Sequence, residues 1–228
     1  MNEINLLSGL SGIGLTDDQL NAVMTTLAKA QAGSHTQNAI VNHLVPNLDP
    51  IMASAVAKGE YTNVGHEFYY NVIMTSLGQL DIVDTSVAES EGVTNLNFGR
   101  IPVDCHGVIT RVELSMKTTG GVAIKTAAYA PIASTDDAAL RNGSLEVKIA
   151  SKRIMKLPVD AFSHSPSIAD QATLLQNGYN LKTPHPFIGG STVEFNFKPA
   201  AGATIAATGC ALKIKMCVEY LVRKVTLK

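Results

Sequence analysis

Tryptophan is absent from the chain, and aromatic residues make up only 5% of it. Any core must therefore be aliphatic. The missing Trp also counts against a carbohydrate-binding module, which stacks sugars on aromatic faces. Charge of one sign is lacking too. The formal net charge is −1, which gives no general field for attracting nucleic acid. Cys105, Cys210 and Cys217 form no CxxC pair, and their odd count fits synthesis in a reducing compartment. Cys210 and Cys217 are seven apart on or near one strand, too far to bond to each other. No run approaches the ~18 apolar residues of a membrane span. No basic stretch followed by an apolar run opens the chain, so no signal peptide is expected.

What is present is enough apolar material for a large core. Hydrophobic residues make up 46% of 228, which excludes bulk disorder and bounds the chain to one large domain, or one domain with an appendage. The most informative stretch runs from Ala211 to Val225. Leu212, Ile214, Met216, Val218, Tyr220 and Val222 fall on one side at period two. Lys213, Lys215, Cys217, Glu219, Leu221 and Arg223 fall on the other. Such alternation predicts a long antiparallel strand, apolar inward and mostly charged outward. Charge is uneven between the ends. Residues 1–60 carry a net −3, and residues 211–228 carry +4. Opposite-signed ends suit subunit contact, although solvated faces give the same pattern.

In chain order, residues 1–15 are apolar but broken by Gly9, Gly12 and Gly14, which predicts an irregular arm. Its Leu6, Leu7, Leu10, Ile13 and Leu15 need a surface to cover them and are the candidate assembly contacts. Three short helices are predicted over 16–58. Thr16 and Gln19 form a capping box before the first, Ser34 and Gln37 before the second, and Asp49-Pro50 opens the third. Ile51, Met52, Ala55 and Val56 are expected on one face of that third helix. From Glu60 onward strand formers dominate. Predicted strands include Phe68–Met74, Leu80–Val83, Val108–Lys117, Val122–Tyr129, Leu145–Ile149, Arg153–Leu157 and Val193–Phe197. Leu96–Phe98 and Ile101–Val103 read as edge pieces. Thr119-Gly120-Gly121 is a hairpin signal, Ser165–Gln176 reads as an inserted helix, and Pro184–Gly190 as a connection. In Val108–Lys117 the expected inward set is Val108, Thr110, Val112, Leu114 and Met116.

The fold class that follows is mainly β: an antiparallel sandwich, jelly-roll-like, of about eight strands over 61–228, behind a helical region at 1–60. An immunoglobulin-like sandwich is the runner-up.

Chemistry is harder to find. His66-Glu67 lacks the second His of HExxH. Cys105-His106 are sequence neighbours, whereas catalytic partners meet from separate elements. His164 and His185 read as two loop histidines flanking the inserted helix. Gly189-Gly190-Ser191 leads into a strand, not the helix that phosphate cradling needs. Asn142-Gly143-Ser144 matches a glycosylation sequon but reads as a turn. No enzymatic activity, metal or cofactor is expected.

A β domain with an aliphatic core, near-neutral charge and an apolar helical N-terminal region resembles the single jelly-roll coat proteins of viruses and bacteriophages. The resemblance is one of pattern over 61–228. It implies a structural virion protein, a self-assembling capsid shell subunit made in the host cytoplasm. Its implied partners are copies of itself, with other virion proteins or an internal membrane as further contacts. The acidic N-terminal region departs from an Arg-rich genome-binding arm, so direct nucleic-acid contact is not expected. The alternative is a non-enzymatic ligand-binding or host-attachment β-sandwich module.

Overall fold

A computed structural model of the chain describes residues 40–75, 80–117, 123–132, 138–162, 178–201 and 209–224. The alternating C-terminal segment forms a strand of 14 residues, Cys210–Arg223 (β9). It lies between two antiparallel neighbours, β1 (Tyr61–Met74) and β3 (Gly107–Lys117). β1 pairs along its whole length, from Tyr61 opposite Arg223 to Met74 opposite Cys210. Beyond β3 lie β7 (Gly178–Phe187) and the two-residue β4 (Ala130–Pro131). The second sheet runs β2 (Leu80–Asp81), β8 (Val193–Lys198), β5 (Ser144–Ile149), β6 (Lys152–Pro158).

With the short β4 set aside, the pairing is nested. The first strand pairs with the last, the second with the second-last, β3 with β7, and β5 with β6. This is a long antiparallel ribbon folded over on itself, which is the jelly roll. Period two then fills the interior. Leu145, Val147 and Ile149 of β5 and Val193, Phe195 and Phe197 of β8 are buried in the same cluster as Leu212, Ile214, Met216 and Val218 of β9. Each such side chain contributes roughly 1.5–3 kcal/mol on burial.

Four local expectations need correction. In β3 the register shifts between Ile109 and Arg111. This bulge turns Ile109, not Val108, into the sandwich core, while Val108 packs on the opposite face. Pro184–Gly190 is not merely a connection, since β7 extends to Phe187 with Pro184 and Pro186 inside it. Prolines are tolerated there because β7 is an edge strand. Leu96–Phe98 and Ile101–Val103 are not strands. They belong to the segment 82–106, which makes only isolated bridges and buries Leu96 and Ile101 in the sandwich. Of the return strand at 122–129, only a 3₁₀ turn at Ile124–Thr126 and the short β4 are found among the described residues.

The helical region lies against the outer face of the β1-β9-β3 sheet. Ile40–Leu44 forms a π-helical turn, Val45–Asn47 a 3₁₀ turn, and Pro50–Ala57 a helix (α1). The Asp49 side chain caps α1 by accepting from the amides of Ile51 and Met52. Ile40, Leu44, Val45, Leu48 and Ala53 pack over Val108 and Leu221. Two assignments of facing change accordingly. Leu221, expected outward, is buried beneath these turns. Ile51, expected on the packed face of its helix, is 84% exposed, and the buried residue of α1 is Ala53. The capping boxes at Thr16 and Ser34, the Thr119–Gly121 turn and the helix at 165–176 lie outside the described residues.

Candidate assembly surface

Leu6, Leu7, Leu10, Ile13 and Leu15 lie outside the described residues. The described surface offers an ionic face, a set of exposed apolar side chains and a partly covered sheet edge.

The ionic face is the outside of the β1-β9-β3 sheet. Arg111 pairs with Glu113 at 2.9 Å, and Lys215 reaches Glu67 at 3.0 Å and Glu113 at 3.5 Å. Arg111 also donates to the side-chain oxygen of Asn180 at 3.2 Å. Burial pulls the Lys215 ammonium down, but Glu67 and Glu113 outweigh it and hold its pKa above the usual range. Lys213 lies over the rings of Tyr69 and Tyr129, at 5.4 and 5.7 Å from their centroids. Arg223 reaches Glu60 at 3.1 Å. One charge from each of the oppositely charged end regions therefore meets within the same chain. Such an exposed pair is worth about 0–1 kcal/mol.

The histidines and cysteines have structural surroundings. Cys105 is buried, and burial, with Asp104 adding to it, pushes its thiol up to about 12. Its thiolate population at neutral pH is correspondingly small. The His106 ring accepts a hydrogen bond from the Gly189 amide at Nδ1, at 3.2 Å. Burial holds the His106 pKa below its ordinary value, against the pull of Asp49 and Asp104. His66 packs edge-on against Phe68 and Tyr220. His185 sits in β7 rather than in a loop, and burial, then Lys152 and His43, lower its pKa. His164 lies outside the described residues. Among the described residues, no three His, Cys, Asp or Glu side chains are grouped to hold a metal.

Exposed large apolar side chains are Ile51, Val64, Phe98 and Val103. Ile51 lines an open cleft of about 730 Å³ with Lys58, Glu60, Tyr61 and Arg223. Phe98 occupies the turn Asn97–Arg100, closed by the Arg100 amide donating to the Asn97 carbonyl at 3.1 Å. Its φ is +52°, followed by +66° at Gly99. Left-handed backbone costs a bulky residue about 1–2 kcal/mol. Phe98 incurs that cost although the residue is 48% exposed, so burial offsets only part of it. The residue signal for this turn is the glycine that follows, Gly99.

The edge of β1 is covered over one half only. Thr94 donates to the Tyr69 carbonyl, and Asn95 accepts from the Tyr69 amide and donates to the Glu67 carbonyl. The segment 90–95 thus closes the edge from Glu67 to Asn71. From Tyr61 to Gly65, no outward backbone group finds a partner among the described residues.

No family model matches the chain, and no curated protein matches it. Among solved structures, the chain is similar to one in the acidic stable capsid structure of Helicobacter pylori bacteriophage KHP30. The identity is 12% and the TM-score 0.32, over 73% of this chain and 96% of that one. A likeness at that score carries no argument.

Proposed function

We propose that the chain is a structural virion protein, the non-enzymatic subunit of a self-assembling capsid shell. Jelly rolls also serve lectins and cupins, so the fold by itself does not select a function. The observation that carries the reading is the filled interior. Every inward position of β5, β8 and the middle of β9 is an apolar, buried side chain. A cupin-type site needs His and Glu at such positions. What the sandwich presents outward is contact surface: exposed apolar side chains, a strand edge without a partner among the described residues, and a helical region that follows the apolar Leu6–Leu15 stretch in the sequence. The partners in this reading are copies of the same chain, and the site of action is the virion.

Phe98 favours the second reading, a ligand-binding or host-attachment module, because exposed aromatic loop residues serve recognition. Size-exclusion chromatography with light scattering separates the two. A shell subunit forms closed particles of high mass, and deleting residues 1–15 leaves soluble, β-rich subunits that no longer form them. A chain that stays monomeric or dimeric at high concentration refutes the shell reading. Full-sized particles from the truncated chain refute the role of Leu6, Leu7, Leu10, Ile13 and Leu15.

A further inference from the structure

We propose that the open edge of β1, Tyr61 to Gly65, pairs antiparallel with the same edge of a second copy, about a two-fold axis through Val64. The inference deepens the self-assembly reading and rests on it for the identity of the occupant.

Outward and inward backbone groups alternate along β1. The amides of Tyr69 and Asn71 and the carbonyls of Glu67 and Tyr69 point away from β9, toward segment 90–95. Odd-numbered residues therefore face the open side, and Tyr61, Asn63 and Gly65 continue the series where that segment no longer covers it.

The other long edges are guarded and this one is not. β6 carries Lys152, Arg153, Lys156 and Pro158, and β7 carries Lys182, Pro184 and Pro186. Lysine and proline are the usual blocks against edge pairing. Tyr61-Thr62-Asn63-Val64-Gly65-His66-Glu67 contains no Lys, Arg or Pro.

The stretch is also self-complementary. Centred on Val64, the outward residue Asn63 pairs with Gly65 and Thr62 falls opposite His66; Tyr61 falls opposite Glu67, whose carbonyl already accepts from Asn95, so the pairing ends there. Glu67 is the one carboxylate in the stretch. It faces Tyr61 and stays bonded to Lys215 of its own chain. Val64, 41% exposed, meets its counterpart at the axis. Gly65 supports a close neighbour. A Cβ built there meets nothing within 4 Å, so the chain's own packing does not require glycine. In this register Gly65 lies opposite the side chain of the other copy's Asn63. A strand glycine often marks such an approach of another backbone.

The test is Val64→Cys in the full chain, oxidised and run on a non-reducing gel. Directly opposed residues of a non-hydrogen-bonded pair have Cα atoms about 4.5 Å apart, within disulfide range. A covalent dimer is expected. Thr62→Cys faces His66 in this register and is expected to give at least about ten-fold less. The unsubstituted chain, with Cys105 and Cys210 buried and Cys217 half-buried, is the background. Gly65→Pro removes an outward amide without touching the β9 ladder, and is expected to abolish the dimer contact with the melting temperature little changed. Particles of normal size without a Val64→Cys cross-link overturn the edge pairing and leave the shell reading standing. A cross-linked dimer that never grows supports the edge pairing and refutes the shell. An uncross-linked Val64→Cys chain whose edge amides resist hydrogen exchange shows that residues of the same chain cover the edge, and overturns the pairing. Unaltered assembly of Gly65→Pro overturns it as well.

Discussion

Leu221 offers a test of whether the helical region belongs to the folded core. By alternation it falls on the charged side of β9, with Lys213, Lys215, Glu219 and Arg223. In the structure it is 6% exposed, beneath Leu44 and Val45 and beside Val108. Leu221→Ala cuts a buried isobutyl side chain back to a methyl in a thin layer between sheet and helical turns. Such changes cost about 2–5 kcal/mol, less where the surroundings can settle into the space. The turns over Leu221 are short and can settle, so about 2–3 kcal/mol is expected. For a chain of this length each kcal/mol moves the melting temperature by about 2–4 °C, giving a drop of about 5–10 °C. Leu221→Lys completes the charged side that the alternation suggests, yet should be worse than alanine, because its ammonium has to escape past the helical turns. Urea denaturation gives the stability, and hydrogen exchange shows whether the amides of 44–57 loosen at the same time. If both variants stay within about 0.5 kcal/mol of the parent, as surface substitutions do, Leu221 faces solvent and the packing of the helical region on the sheet is wrong.

Val218→Asp places a carboxylate at a position 2% exposed, between the His66 and Ile109 ladder positions. That costs several kcal/mol against a total of about 5–15, so the variant should be insoluble, and a normally folded product would place the strand elsewhere. Phe98→Asn installs the Asn-Gly pair that positive φ at both turn positions favours. It should raise stability by about 1 kcal/mol while weakening whatever contact the ring makes, and a drop in melting temperature would show that the Phe98 ring supports the fold. His106 and His185 are both held below their ordinary pKa by burial, so the folded state keeps them neutral. Below pH about 6.5 the unfolded chain takes up protons first, so stability is full above that pH and falls as pH drops toward the folded pKa values. The melting temperature should be lower at pH 5.5 than at 7.5, with His185→Gln flattening the difference; equal values at the two pH values would count against buried neutral histidines.

Facing was legible in the sequence wherever one face of a strand is buried and the other is not. β5, β8 and the body of β9 alternate as their residues indicate. It failed where something else intervened. The bulge between Ile109 and Arg111 moves the β3 register by one residue, and no residue type announces it. A second apolar layer covers Leu221, and alternation cannot see a third layer. The β5–β6 hairpin turns through Ala150 and Ser151, at φ +49° and +63°, where Asn-Gly would have been the signal. Asn142-Gly143 does lie in a turn, with the Gly143 amide donating to the Leu140 carbonyl, and its glycine is also needed for space. A Cβ on Gly143 would lie 2.7 Å from the Lys198 carbonyl oxygen. Neighbour order was not legible, because periodicity tells a strand which way to face and nothing about which strand lies beside it. Of the candidate assembly surface, the open edge of β1 could not be read for the same reason.

The nested pairing also sets the order in which the molecule can be made. The partners in β1 and β9 are 136 residues apart at Met74 and Cys210, and 162 apart at Tyr61 and Arg223. Until β9 leaves the ribosome, β1 has no full strand to lie against and β3 has only β4 and β7, because β9 sits between β1 and β3. At about 5–20 residues per second, β1 waits roughly ten seconds or more with its β9-facing backbone groups unpaired. Contacts this distant in sequence also make folding intrinsically slow. A nascent chain lacking its last strand is thus missing the middle of a sheet rather than its margin. No complete sandwich, and so no surface that depends on it, exists before β9 arrives.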